Sequence, residues 1–303
     1  MDFSVNKEQR LEKALAGYGV KNEDLQDSIQ TIKSWFTTQK HLPETPNDNT
    51  IMNFLFMTNF SIENTKKRLD MYYTIRNLIP EMFKDKNPKL PHMKRVAETV
   101  YCIPLPKVTE EGYRITVLRN NDLAPEEFDP YNIIGHINNV LEIRMHEDVT
   151  MGDIHIYDFS NAKMGHVVKL TPIFLKKCAV AFEEVFSNKI KQMHYINVPS
   201  FAESIISLAK SFLKPKLQER IHIHSSTDGL KKYIPLEILP KDLGGEELSC
   251  KELNSMVLKK LEEYQDRFDT IDQLKVDEKL RPTPLVNDEV LGFHGNFRKL
   301  NVD

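Results

Sequence analysis

Residues 192–224 read QMHYINVPSFAESIISLAKSFLKPKLQERIHIH, and the fold turns on how this stretch is read. Two short runs rich in β-formers, 193–198 and 221–224, flank a segment of helical periodicity, 201–214. At about 100° per residue, Phe201, Ala202, Ile205, Ile206, Leu208, Ala209, Phe212 and Leu213 share one arc of roughly 160°. Glu203, Ser204, Ser207, Lys210, Ser211 and Lys214 occupy the opposite arc. Pro199 suits the entry of such a helix and Pro215 its end, since proline has no N–H to donate and clashes with a preceding turn. Strand, helix and strand in so few residues make a βαβ unit, which requires parallel pairing and a right-handed crossover. An apolar stripe of this width covers a sheet, or closes over a lipophilic molecule. Periodicity does not separate the two.

The same grammar extends outward. Strand-like runs at 99–105, 114–119 and 153–159 alternate with helical periodicity over 131–146 and 167–186, the latter carrying Pro172 in its first turns. Such alternation predicts an α/β domain on a largely parallel sheet. A last helix is expected over 250–267, and Pro282 and Pro284 prevent the tail after it from forming one regular element. Upstream, residues 7–15, 24–39, 51–57 and a run beginning at Ser61 are all helical in spacing, with a Pro- and Asn-rich connector at 41–50 and a breaker-rich stretch at 84–91. The expected division is 1–90, an all-helical domain; 91–268, the α/β domain; and 269–303, an extended polar tail.

Composition excludes several classes. A net charge of −3 offers no global attraction to nucleic acid. No apolar run approaches the ~18 residues that span a bilayer, and the charged first thirty residues contain no apolar h-region of a secretory signal. Cys102, Cys178 and Cys250 are odd in number and widely spaced, which suits reduced thiols in the cytosol. The strand-to-helix turns SNAKMG and PSFAES hold no Gly-rich phosphate loop, and no G-x-S-x-G nucleophile turn occurs. His222 and His224 share a strand face, but no neighbouring Cys, Asp or Glu has the spacing to complete a metal site; His155 and His194 lie on separate strands. No catalytic residue, metal or cofactor is expected. Lys189, Lys191 and Arg220 sit near strand ends, where charges form a solvated rim or hold an anion.

Three segments, IYDFSNAKMGHVVKLTP, HYINVPSFAESIISLAKSFLKPKLQERIHIH and LPKDLGG, together resemble the CRAL-TRIO lipid-binding domain. IMNFLFMTNFSIENTKKRLDMYYTIRNLIPEMF is similar to the small helical domain that precedes it in that family, and GFHGNFRKLNVD to the tail common in its arthropod members. The resemblance implies an N-terminal helical domain, then a largely parallel sheet flanked by helices, with a lipid pocket closed by the 201–213 helix as a gate. Carried over to the pocket are Tyr157, Leu170, Phe174, Cys178, Phe182, Met193, Phe201, Ile205 and Leu208. Lys189, Lys191 and Arg220 match three positions of a basic cluster that contacts membrane phosphoinositides; Thr58 replaces a fourth, so a weaker phosphoinositide dependence is expected. Phe186-Ser187 replaces the family's YP pair. The implied function is cytoplasmic transfer of a small tocopherol- or retinoid-like ligand, with transient membrane contact. The alternatives are a phospholipid- or phosphoinositide-binding regulatory module and an enzyme acting on the enclosed lipid.

Overall fold

The structure, a computed structural model, describes residues 2, 3, 5–185 and 190–285. Four helices come first: α1 (Lys7–Tyr18), α2 (Asn22–Thr38), α3 (Asp48–Met57) and α4 (Ile62–Leu78). On α2 the buried residues are Leu25, Ile29, Ile32 and Phe36, one stripe at three- and four-residue spacing. Asn47 caps α3 by accepting a 2.8 Å hydrogen bond from the Thr50 amide. A fifth helix, α5 (Pro91–Thr99), was hidden by its breaker-rich surroundings; Pro91 stands in its first turn, where the missing N–H costs nothing.

The α/β part continues with β1 (Val100–Val108), β2 (Tyr113–Asn120), α6 (Pro130–Glu147), β3 (Gly152–Asp158), α7 (Met164–Val167), α8 (Pro172–Glu184), β4 (Ile190–Ile196), α9 (Glu203–Ser211), α10 (Pro215–Gln218), β5 (Ile221–His224), α11 (Cys250–Glu263) and α12 (Gln265–Ile271). Three helical segments differ from the reading of the sequence. The stretch 167–186 is two helices, because Pro172 begins α8 and Thr171 caps it. The segment read as one helix over 201–214 opens as a 3-10 turn, Ser200–Ala202, before α9. The last helix breaks at Tyr264, and α12 runs past the expected boundary at 268. Val276 beyond it is buried, the Asp277 amide donates to the His41 carbonyl at 2.9 Å, and Arg281 grips Asp70 at 2.7 and 2.9 Å. The first part of the tail therefore packs on the N-terminal helices; residues 286–303, with the GFHGNFRKLNVD ending, lie outside the described residues.

The five strands stand side by side in chain order. β1 and β2 are an antiparallel pair, and β2 through β5 are parallel. Each parallel step moves the same way across the sheet, so right-handed crossovers put α6, α8 and α9 on one face. Alternation along the strands makes the two faces different. Ile115, Val117, Ile154, Ile156 and Ile196 point away from these helices, onto Leu230, Ile234, Leu239 and Leu253. In the LPKDLGG segment that helps cover this face, Gly244 takes φ +78, and a Cβ on Gly245 would lie 2.0 Å from the Leu239 carbonyl oxygen. The N-terminal helices pack on the outer side of α6 and α8, where Met145, Phe174 and Ala181 join their core.

A buried ion network locks α6 to the sheet. The Arg114 guanidinium, wholly buried, donates to both Asp148 oxygens at 3.0 and 2.6 Å and to the Leu105 and Pro106 carbonyls. Arg144 bonds Asp148 at 3.1 Å and Asp153 at 2.6 Å. Burial works against the ionised Asp148, but Arg114 and Arg144 outweigh it and hold the carboxyl at about 2. Removing one partner of such a set leaves an uncompensated buried charge. Asp148→Ala should therefore cost about 3–5 kcal/mol, read as a lowered urea midpoint.

Candidate functional site

Between the helix-bearing face of the sheet and α6, α8 and α9 lies a cavity of about 450 Å³, within the range of small-molecule sites. The sheet supplies Cys102, Thr116, His155, Tyr157, Met193 and Tyr195, the residues alternate to the isoleucines of the opposite face. From α6 come Ile133, Ile134, Ile137 and Leu141; from α8, Phe174, Cys178 and Phe182; from α9, Ile205, Ile206 and Ala209. Seven of the nine pocket positions named from the sequence meet here: Tyr157, Leu170, Phe174, Cys178, Phe182, Met193 and Ile205. Phe201 and Leu208 do not line the wall. Phe201 stands in the 3-10 turn, where three residues complete a turn rather than 3.6, and packs with Val167, Ala202 and Ile206 at the rim. The phase of an ideal wheel begun at Phe201 is therefore offset from α9 itself. The apolar face of α6 was legible as periodicity, but nothing in it marked a cavity wall rather than core.

Burial favours the neutral form of Cys178, Tyr157, Tyr195 and His155 on the wall, and Arg119 at the lining is paired with Asp158 at 3.5 Å. Burial pushes the Cys178 thiol up to about 12 and the Tyr195 phenol up to about 12, and lifts Tyr157 well above its ordinary range. The Tyr157 and Tyr195 rings stack at 4.8 Å between centroids. Burial lowers His155 to about 4, so it is a neutral imidazole at pH 7. Arg144 reaches the cavity edge already paired with Asp148 and Asp153. Such a space suits an uncharged, largely apolar guest.

On the opposite face His194, which appeared unrelated in the sequence, joins His222 and His224. Parallel pairing sets His194 beside His222; its Nδ1 hydrogen-bonds His224 Nε2 at 2.9 Å and its Nε2 pairs with Gln192 at 2.9 Å. Tyr233 packs against all three rings. Among the described residues no group of His, Cys, Asp and Glu is arranged to hold a metal ion.

The basic residues are partly engaged. Lys191 Nζ lies 4.9 Å over the Tyr113 ring, and Arg220 donates to the Ile190 carbonyl. Lys189 lies outside the described residues, as does the Phe186-Ser187 pair. Thr58 closes α3 and turns its hydroxyl inward to Phe54 and Thr65. It borders a surface groove where Lys66 pairs with Glu63 at 2.7 Å and Lys214 with Glu183 at 3.1 Å.

The family comparisons agree with this geometry. Residues 21–93 match the Pinta-like UBA domain and residues 98–245 the CRAL/TRIO domain. Residues 98–245 are thus a CRAL-TRIO domain, the domain of lipid-binding and lipid-transfer proteins. It is 25% identical to the mouse (Mus musculus) alpha-tocopherol transfer protein-like over 75% of this chain and 67% of that protein. It is 27% identical to rat (Rattus norvegicus) Clavesin-1 over 78% of this chain and 68% of that one. The chain thus spans about two thirds of the length of these relatives. The solved structure of Sfh5 aligns with a TM-score of 0.46 at 12% identity, over 70% of this chain and 80% of that one. Among the described residues no helix is long and apolar enough to cross a membrane.

The buried histidines set an acid limit on stability. Burial holds His136, on α6, at about 4 despite a hydrogen bond with the Val100 backbone, against 6.5 in the unfolded chain. The unfolded state thus binds more protons between these values, so stability is full above pH ~6.5 and declines as pH falls toward 4. His155 acts in the same direction. The urea midpoint should fall over this window, and in His136→Asn the proton uptake on unfolding at pH ~5 should drop by about one.

Proposed function

We propose that this protein is a carrier that encloses a small, tocopherol- or retinoid-like lipid in the cavity, shields it from water and releases it at membranes without making or breaking a bond. The observation that carries the reading is the apolar cavity of about 450 Å³ roofed by α9. Burying about 400 Å² of apolar ligand at ~25 cal/mol/Å² contributes about 10 kcal/mol before ordering costs, ample for tight binding without charged contacts. The similarity to the mouse alpha-tocopherol transfer protein-like, a protein named for tocopherol transfer, points the same way. Three free thiols suit a reducing, cytoplasmic setting.

In this reading α9 is the gate. It is joined to β4 through Asn197, whose φ of 54 marks a sharp left-handed turn, and it meets the cavity through apolar side chains, which open at little polar cost. A membrane shifts the equilibrium toward the open state only by binding that state better. Tyr157, Leu170, Phe174, Cys178, Phe182, Met193 and Ile205 would touch the guest, with Phe201 and Leu208 at or outside the rim. Lys189, Lys191 and Arg220 would meet anionic lipid, phosphoinositides included. The working division remains a helical domain over 1–90, a lipid-binding domain over 91–268 and a tail over 269–303.

Organic extraction of the purified protein followed by mass spectrometry tests the central claim. A stoichiometric unmodified lipid is expected; accumulation of a turned-over product would make the protein an enzyme instead. Phe182→Asp and Ile205→Asp should each abolish binding of hydrophobic probes while keeping the native circular dichroism, because an unpaired carboxylate on that wall is costly to desolvate. Undiminished binding in both would remove these residues from the site. Replacing Lys189, Lys191 and Arg220 together by Ala should leave equilibrium affinity nearly intact. Transfer to anionic vesicles should slow by about 10-fold at low salt, given roughly 1 kcal/mol per basic residue less what Lys191 and Arg220 already spend within the protein. The difference should vanish at high salt.

A further inference from the structure

We propose that Thr116 and His155 form a head-group subsite on the sheet wall of the cavity, one that selects a lipophilic alcohol. The proposal rests on the carrier reading above and deepens it.

Thr116 on β2 and His155 on β3 are direct partners across the parallel pairing, and both line the cavity. Adjacent parallel strands lie about 4.8 Å apart, so one small group can reach both side chains. Thr116 is 5% exposed, and its Oγ1 has no hydrogen-bond partner among the described residues. The Nδ1 of His155 is likewise buried and unpartnered. Buried polar atoms in native proteins are nearly always paired, and exceptions mark a place for something else to bind. Here two such exceptions are direct neighbours on the wall of a largely apolar cavity; a third, Arg119 Nε, belongs to a guanidinium already paired with Asp158.

The chemistry of the two atoms names the guest. A hydroxyl both donates and accepts, so it can pair with the threonine hydroxyl and with Nδ1 in either imidazole tautomer. A carbonyl only accepts, so it satisfies both only when Nδ1 carries the proton. A carboxylate or phosphate would need a free cation. Two guanidinium groups reach the lining: Arg144 is committed to Asp148 at 3.1 Å and Asp153 at 2.6 Å, and Arg119 is paired with Asp158 at 3.5 Å. His155 itself is held neutral by burial. A pure hydrocarbon would leave both atoms unpaired.

The test uses the full chain and a matched series with one alkyl chain: hexadecane, hexadecan-1-ol, hexadecan-2-one and hexadecanoate. Each is delivered from cyclodextrin in competition with the fluorescent hydrocarbon diphenylhexatriene at pH 7. The alcohol should bind tightest, about 3- to 10-fold over hexadecane, and hexadecanoate should bind weaker than the alcohol. Thr116→Val and His155→Phe keep shape and stacking but remove the polar atom. Each should erase most of the alcohol's advantage while leaving hexadecane binding unchanged or stronger. Thr116→Ser should restore the alcohol preference. Equal binding of alcohol and hydrocarbon by the parent chain would overturn the subsite even if neither variant folds. So would an equal loss for all probes in the variants, or a preference for hexadecanoate. Failure of every probe, diphenylhexatriene included, would instead overturn the carrier reading on which the subsite rests.

Discussion

Parallel pairing in chain order is the constraint on which the rest depends. From β2 to β5 each strand is laid beside its predecessor, so each crossover must return over the same face. Three helices, α6, α8 and α9, thereby share one side of the sheet. The other side receives the aliphatic residues of β1 to β3 and Ile196 of β4, which close as a core with Leu230, Ile234 and α11, while His194, His222 and His224 occupy the rest of that face. Helices that span a broad twisted sheet do not all approach it equally closely, and on this face the sheet presents Thr116, His155, Tyr157 and Tyr195 where the opposite face presents isoleucines. The cavity is the gap that results.

α6 is the element that keeps this gap open. Its apolar face forms one cavity wall, and its last turns are pinned on two sides by buried charge. On the sheet side Arg144 and Asp148 join Arg114 and Asp153. On the outer side Glu142 is held by Tyr72 of α4, by Arg267 of α12 at 2.9 Å and by His146 at 3.2 Å. Burial opposes the ionised Glu142, but His146, Arg267 and Arg76 together keep its carboxyl at about 2. Arg267 also grips Glu44 of the connector at 2.6 and 2.9 Å. The N-terminal helices, α12 and the sheet are thus all referenced to one helix. Buried ion networks of this kind contribute positioning more securely than net stability.

Much of the fold was legible from residue order. The two-residue alternation of Ile115, Val117, Ile154 and Ile156 marked strands, and the spacing of Leu25, Ile29, Ile32 and Phe36 marked α2. The errors were local and have local causes. Pro172 began a helix rather than sitting inside one, the turn at Ser200–Ala202 tightened to three residues, and Pro91 opened a helix in a stretch that looked like a linker. Proline near a helix start reads equally as punctuation or as a first turn, and only the packing of the following residues decides.

The site was legible only in part. Resemblance and periodicity led to the aromatic and aliphatic residues of α8 and α9, because an amphipathic stripe is encoded in the order of residues on one segment. Residue order alone thus determined the strands, most helices, the sense of the crossovers and the existence of an apolar roof. It said nothing of Thr116 meeting His155, of His194 joining His222 and His224, or of Arg144 being neutralised at the cavity edge, since those depend on register between segments far apart in the chain. Nor could it separate core from cavity, which share one composition and differ only in whether the opposing side chains touch. That distance is set by how α6 is anchored, and the tertiary structure alone decides it.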